Sequence, residues 1–241
     1  MANGHDAHLH HISQRFNAEL KDLRDHVLVM GGMVEKQVAE AIDALVRLDA
    51  PLAEEVKAND RHVNRLETTI DEECTRVIAK RQPTAGDLRL VIAVTKMVND
   101  LERIGDESKK IAKSTLQLIE SGRLPEGAVE VRMIGEHVSR MLRQSLDAFT
   151  RFDINVAYEV IKEDRIVDSE YKTAMRSLVT AMMEDSRNIS PILNIMWVLR
   201  ALERVGDHAR NICQHVIYMV HGKDVRHATV EQTEEIISSS R

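Results

Sequence analysis

Aromatic residues make up only 3% of this 241-residue chain, and it holds four prolines, ten glycines and two cysteines. Each scarcity excludes something. Few aromatics and few turn residues argue against a β-sandwich or barrel, which need strand formers and frequent turns. Two cysteines cannot staple a small secreted scaffold; Cys74 and Cys213 fall in apolar helical stripes, where free thiols pack as small hydrophobes in a reducing compartment. No apolar run is long enough to span a bilayer, and no apolar signal core opens the chain. The net charge of −6, without a long basic run, argues against nucleic acid as a direct partner. No nucleophile–base pair, phosphate-cradling glycine loop or dinucleotide motif is present, so the sequence shows no catalytic chemistry. The expectation is a cytoplasmic, non-enzymatic protein with no membrane insertion.

What remains is a helix-forming mixture that says the same thing twice. Leu101-Glu102-Arg103-Ile104-Gly105-Asp106 returns as Leu202-Glu203-Arg204-Val205-Gly206-Asp207, an offset of 101. Upstream, Asp43-Ala44, Arg47, Asp49, Asp60-Arg61 and Val63 return at an offset of 104 as Asp147-Ala148, Arg151, Asp153, Asp164-Arg165 and Val167. The three-residue difference falls in the turn regions around Pro83 and Pro191, since turns tolerate length changes where packed helices do not. A period this long signals a duplicated domain rather than a solenoid.

Each copy reads as three long amphipathic helices. Leu52, Val56, Val63, Leu66, Ile70 and Cys74 recur at three- and four-residue steps, as do Ile195, Leu199, Leu202, Val205, Ala209 and Ile212. Long antiparallel helices bury such stripes as bundles. The fold class is therefore all-α, two tandem three-helix bundles related by a pseudo-twofold. The boundaries are a flexible leader at 1–8, a first bundle at 9–122, a second at 126–222 and a loosely ordered polar tail at 223–241. Met30-Gly31-Gly32-Met33 predicts a kink or a break in the first helix. His5, His8, His10 and His11 read as a solvated leader.

The repeated carboxylates are the candidate site. Four residues is just over one helical turn, so Glu102 and Asp106 share a face, as do Glu203 and Asp207. Asn99 extends the first set; Asp60, Asn64 and Glu67 line the second helix of copy one, and Asp164 and Asp168 that of copy two. Where the second and third helices pack, each copy gathers oxygen donors at one seam. Clustered carboxylates repel unless a cation relieves them, and oxygen-only donors suit Mg, Mn, Ca or Fe rather than zinc. Arg200 offers a substitute for a cation in the second site by pairing with Glu203 or Asp207; the first site has no such substitute on that face. Gly105 and Gly206, each costing about 1 kcal/mol in a helix, point to a close approach by backbone or ion. Neither copy has the Glu-x-x-His element of di-iron oxidases, although a carboxylate-bridged metal oxidase or hydrolase is the alternative reading.

Further segments carry a resemblance. Phe16-Asn17-Ala18-Glu19-Leu20, Met30-Gly31-Gly32-Met33-Val34-Glu35, Ile78-Ala79-Lys80-Arg81-Gln82-Pro83-Thr84-Ala85 and Met182-Met183-Glu184-Asp185-Ser186-Arg187, with both Leu-Glu-Arg hexapeptides, resemble the PhoU family over nearly the whole chain. The resemblance implies two three-helix bundles and an adaptor that holds phosphate-starvation signalling off when phosphate is plentiful. It implies partners in the ATPase subunit of the phosphate ABC transporter and a sensor histidine kinase, with recruitment to the inner face of the membrane. Some members bind metal clusters through Glu/Asp-x-x-x-Asp motifs. Here these are Glu102/Asp106, Glu203/Asp207 and Asp164/Asp168, with Asp60/Asn64 an imperfect fourth that favours a lone ion at the first site. Apolar stripes left over from three-helix units make a homodimer the expected assembly.

Overall fold

Two Asp caps show how the chain builds each bundle. In both copies a helix ends on a residue in the left-handed region, Leu48 (φ 55°) or Phe152 (φ 53°). The aspartate that follows then caps the next helix: Asp49 accepts from the Leu52 amide at 3.0 Å, and Asp153 from the Asn155 and Val156 amides at 2.9 and 3.1 Å. The capping satisfies amides that a helix start leaves orphaned. Pro51 sits in the first turn of its helix, where its missing N–H costs little.

The computed structural model describes the backbone of residues 3–122 and 127–239, and side chains from residue 14 onward. The helices are α1 (Asn3–Arg47), α2 (Ala50–Arg81), α3 (Ala85–Ser121), α4 (Ala128–Arg151), α5 (Ile154–Glu184), α6 (Ile189–His221) and α7 (Val230–Ser238). A single 3₁₀ turn, Ser186–Asn188, links α5 to α6, and no strand occurs among the described residues. Helices α1–α3 form one bundle and α4–α6 the other, as the repeat requires.

The central pair is α3 and α6. They run antiparallel, since Asp100 faces His208 to His215 while Glu107 faces Arg204. Both are covered on most sides, which is why α3 buries Ser108 and Thr115 as well as its apolar stripe. Those hydroxyls are satisfied by carbonyls of the preceding turn, Ile104 at 2.9 Å and Ile111 at 3.0 Å. Cys74 and Cys213 are free and buried in this core.

Of the expected kink or break at Met30–Met33, the break does not occur, and the segment makes a helix–helix contact. A Cβ on Gly31 would stand 2.6 Å from Leu146, and one on Gly135 would stand 2.9 Å from Ile42. Gly135 is the repeat mate of Gly31, and Leu146 that of Ile42, so α1 and α4 cross by a twofold exchange of glycine for side chain. The glycines let the two backbones approach, and α1 runs through them unbroken.

Two boundary expectations change. From Asn3 the expected leader belongs to α1, although the side chains of His5, His8, His10 and His11 lie outside the described residues, as do residues 1–2, 123–126 and 240–241. The tail is not loose. Val225, Thr233 and Ile237 are buried, and Thr229 with Gln232 forms a reciprocal capping box at the start of α7. Tyr158 donates to Glu234 at 3.0 Å and Arg165 pairs with Glu231 at 3.0 Å, holding α7 on α5. Polar composition hid the two apolar anchors, Val225 and Ile237.

Candidate cation seams

The α2–α3 seam brings Asp60, Glu67, Glu102 and Asp106 together. Asp60 is 2% exposed, and its Oδ2 accepts from Lys109 Nζ at 2.6 Å. Its other oxygen, Oδ1, is buried without a partner. Burial pushes the Glu102 carboxyl above the ordinary range, and the charges of Asp106 and Asp60 push it further. Glu67 is raised by burial and then by Glu102. Arg103 stands 3.7 Å from Glu102, a weak contact.

The α5–α6 seam repeats the plan with a stronger base. Arg210 reaches Asp164 with one guanidinium nitrogen and Asp207 Oδ1 with another at 3.0 Å. Arg200 bonds Glu203 Oε1 at 2.8 Å, as expected from sequence, while Glu203 Oε2 is buried and unpartnered. Burial raises Glu203 first, followed by Asp207; burial likewise raises Asp164 against the pull of Arg210. Asp168 adds its charge to both.

Lys109 and Arg210 correct the sequence reading of the first seam, which expected no internal cation there. They are repeat mates at the offset of 101, each three residues beyond the seam aspartate. Their signal in the sequence was that equivalence; their role was invisible because each reaches a carboxylate 49 or 46 positions away.

Two further assignments shift. Asn64 is exposed, and its side chain makes no hydrogen bond among the described residues. Asn99 lines a cleft of about 880 Å³ between the two bundles, together with Asp164 and Asp168 of the other repeat. Gly105 and Gly206 are not forced by close packing, since an added Cβ on either would meet its neighbours at 3.5 Å or more, ordinary contact.

These atoms match a hard cation in one respect and oppose it in another. The donors are all oxygen, and one buried acceptor in each seam has no donor, which is the chemistry such an ion satisfies. Against this, the ammonium of Lys109 and the guanidinium of Arg210 stand at the carboxylates. Among the described residues no three His, Cys, Asp or Glu groups converge to hold an ion as the side chains stand. The residues fit an ion in kind, with the basic side chains displaced.

The cleft holds a network that sequence reasoning missed. Asp100, 7% exposed, accepts from His208 at 2.8 Å, His215 at 3.0 Å and Asn211 at 3.1 Å, tying α3 to α6 across the two repeats. Burial works to raise its carboxyl, but the three hydrogen bonds outweigh burial and hold it below the ordinary aspartate range. An acid set within a buried stripe of α3 was the available signal.

Known proteins share this architecture. A PhoU domain model matches residues 27–115 and 131–216. The chain is 55% identical over 236 residues, 98% of both chains, to the phosphate-specific transport system accessory protein PhoU homolog of Pseudomonas aeruginosa. It is 44% identical to the accessory protein PhoU of Escherichia coli K12, covering 95% of this chain and 94% of the other. The crystal structure of PhoU from Pseudomonas aeruginosa superposes with a TM-score of 0.85 at 57% identity, covering 86% of this chain and all of that one. The phosphate transport system regulatory protein PhoU of Streptococcus pneumoniae superposes at 0.81 with 30% identity, covering 87% of this chain and 99% of the other.

Proposed function

The chain belongs to the PhoU family, and we propose that it is a non-catalytic regulator of phosphate uptake and of the response to phosphate scarcity. The observation that carries this reading is the match at 55% identity across 98% of both chains to a protein named as an accessory of phosphate-specific transport. The metal-enzyme alternative is set aside, because the relatives are named accessory and regulatory proteins.

In finer detail, the chain couples the ATPase subunit of the phosphate ABC transporter to a sensor histidine kinase, acting as a homodimer at the inner face of the membrane. No described helix is long and apolar enough to cross that membrane, so contact comes through the partners. The carboxylate seams take a hard cation, Mg, Mn, Fe or Ca, through Asp60, Glu102 and Asp106 in one bundle and Asp164, Asp168, Glu203 and Asp207 in the other. The two unpartnered oxygens, Asp60 Oδ1 and Glu203 Oε2, support that reading. An ion bound only by the folded or docked form stabilises that form.

The test is a host strain lacking this chain, grown in phosphate-rich medium, with a starvation-responsive reporter and phosphate uptake as readouts. Loss of the chain is expected to switch the reporter on, and restoring the chain to switch it off. A reporter and uptake rate indifferent to the chain would overturn the reading. Capture of the ATPase subunit and the kinase on the tagged chain tests the finer statement.

A further inference from the structure

The two repeats diverge on one equivalent surface, which in the first repeat runs from a groove along α2 to the mouth of the cleft between the bundles. Asp71, Thr75 and Ala79 of α2 correspond to Met175, Val179 and Met183 of α5. Thr95 and Lys96 of α3 correspond to Met196 and Trp197 of α6. Core packing does not ask for this: Met183 is 83% exposed, Trp197 67%, and Val179 and Leu193 44% each. Because α5 and α6 pair antiparallel through the short turn at Ser186–Asn188, Met183 comes level with Ile189 and Val179 with Leu193. The exposed apolar side chains therefore gather at the same end of the helix pair.

Contiguous exposed patches of this kind mark interaction surfaces. Methionine supplies adaptable contacts for helix-binding surfaces, and tryptophan is enriched among the residues that anchor protein interfaces. Here it is the chain's only tryptophan.

The charge around the patch identifies the occupant. Along α5, Lys172, Arg176, Val179 and Met183 form one stripe, with the cations at one end and the apolar pair at the other. Lys172 and Arg176 make no ion pair among the described residues. Along α6, Leu193 and Trp197 lead to Arg200, which is bonded only within its own helix, to Glu203. Both helices are thus apolar near their shared turn and basic beyond it. Symmetric pairing of this face with that of a second copy would bring the same cations rather than the acids they lack.

We propose that this face of α5 and α6 docks an amphipathic helix of a partner protein, its apolar stripe against Val179, Met183, Leu193 and Trp197 and its acidic residues against Lys172 and Arg176. Helix-in-groove binding uses anchors at this spacing. The proposal rests on the adaptor reading only in taking the occupant to be a protein.

Trp197 reports directly on its own face in the full chain. The probes are a synthetic amphipathic helical peptide of Leu and Glu, and the same peptide with Lys for Glu. The Leu–Glu peptide is expected to move Trp197 emission to shorter wavelength, saturably and more weakly at high salt. Met183→Glu with Leu193→Glu should weaken that binding at least tenfold, and Lys172→Ala with Arg176→Ala several-fold, with melting temperatures unchanged because all four positions are on the surface. An equal shift from the Lys peptide overturns the proposal, as does no shift at all. So does short-wavelength emission that depends on chain concentration alone, which would assign the face to a second copy. A variant that fails to bind peptide yet restores phosphate-dependent repression refutes this surface and spares the adaptor reading. A chain that binds peptide but never restores repression refutes that reading instead.

Discussion

Lys109 donates to Asp60 across the α2–α3 seam at 2.6 Å, and Arg210 makes the equivalent reach to Asp164 in the second repeat. Each base stands at a buried carboxylate of the proposed cation seam. Lys109→Met leaves Asp60 buried with no counter-charge, an expected loss of about 3 kcal/mol in chelator. Adding Mn²⁺ should restore a larger share of stability to this variant than it adds to the parent chain. Urea midpoints with and without Mn²⁺ check both statements; an identical deficit in the two buffers would count against an ion at this seam.

Glu203 predicts an opposite sign. Burial and the charge of Asp207 hold its folded pKa above the unfolded value, so the native state binds the proton more tightly. Its ionisation therefore weakens the fold as pH rises from the ordinary glutamate range through that raised value, and the deficit is complete above it. Glu203→Gln should stabilise the metal-free chain at pH 7 by about 1 kcal/mol, the scale of an unmade hydrogen bond to a buried charged group. The gain should vanish toward pH 4. Melting temperatures of both proteins across that range supply the comparison.

Asp100 behaves the other way, because its folded pKa is depressed. The stability it contributes is present above the ordinary aspartate range and is lost as pH falls through the folded value. Asp100→Asn should cost about 2 kcal/mol at neutral pH, with His208 and His215 losing a charged acceptor. Hydrogen exchange should quicken along α3 and α6 where the bundles meet, and the deficit should narrow in acid. A variant as stable as the parent at pH 7 would show that the network is incidental.

The helices and the duplication were legible because both are local patterns: apolar residues at helical steps, repeated at offsets of 104 and 101. The seam carboxylates were legible for the same reason. What escaped depends on which surfaces meet. Gly31 looked like a helix break, since glycine weakens a lone helix, yet here it admits Leu146 from α4. Asn99 lies beside Glu102 on the helical wheel but turns to the cleft shared with the other repeat. Lys109 and Arg210 drew no notice in the sequence, because nothing local tells a free lysine from one reaching a buried aspartate. The apolar anchors of the tail, Val225 and Ile237, are too sparse to stand out among polar neighbours.

The tail offers its own check. Ile237 is 6% exposed on a helix of nine residues, too short to persist alone. Ile237→Asp should release α7 from α5, speeding proteolysis within 223–239 while the bundle unfolds at nearly the parent temperature. Limited proteolysis followed by mass analysis reads the site of the first cut. Cuts scattered through α1–α6 instead would mean that α7 supports the whole fold.

The most direct test of the cation seams is a calorimetric Mn²⁺ titration of the chelator-treated chain. The comparison is the variant carrying Glu102→Gln, Asp106→Asn, Glu203→Gln and Asp207→Asn, with elemental analysis of both proteins after gentle purification. Saturable binding and co-purifying metal are expected in the parent, both lost in a variant that still folds. Equal binding by the two proteins, or none by the parent, would contradict the seams as cation sites.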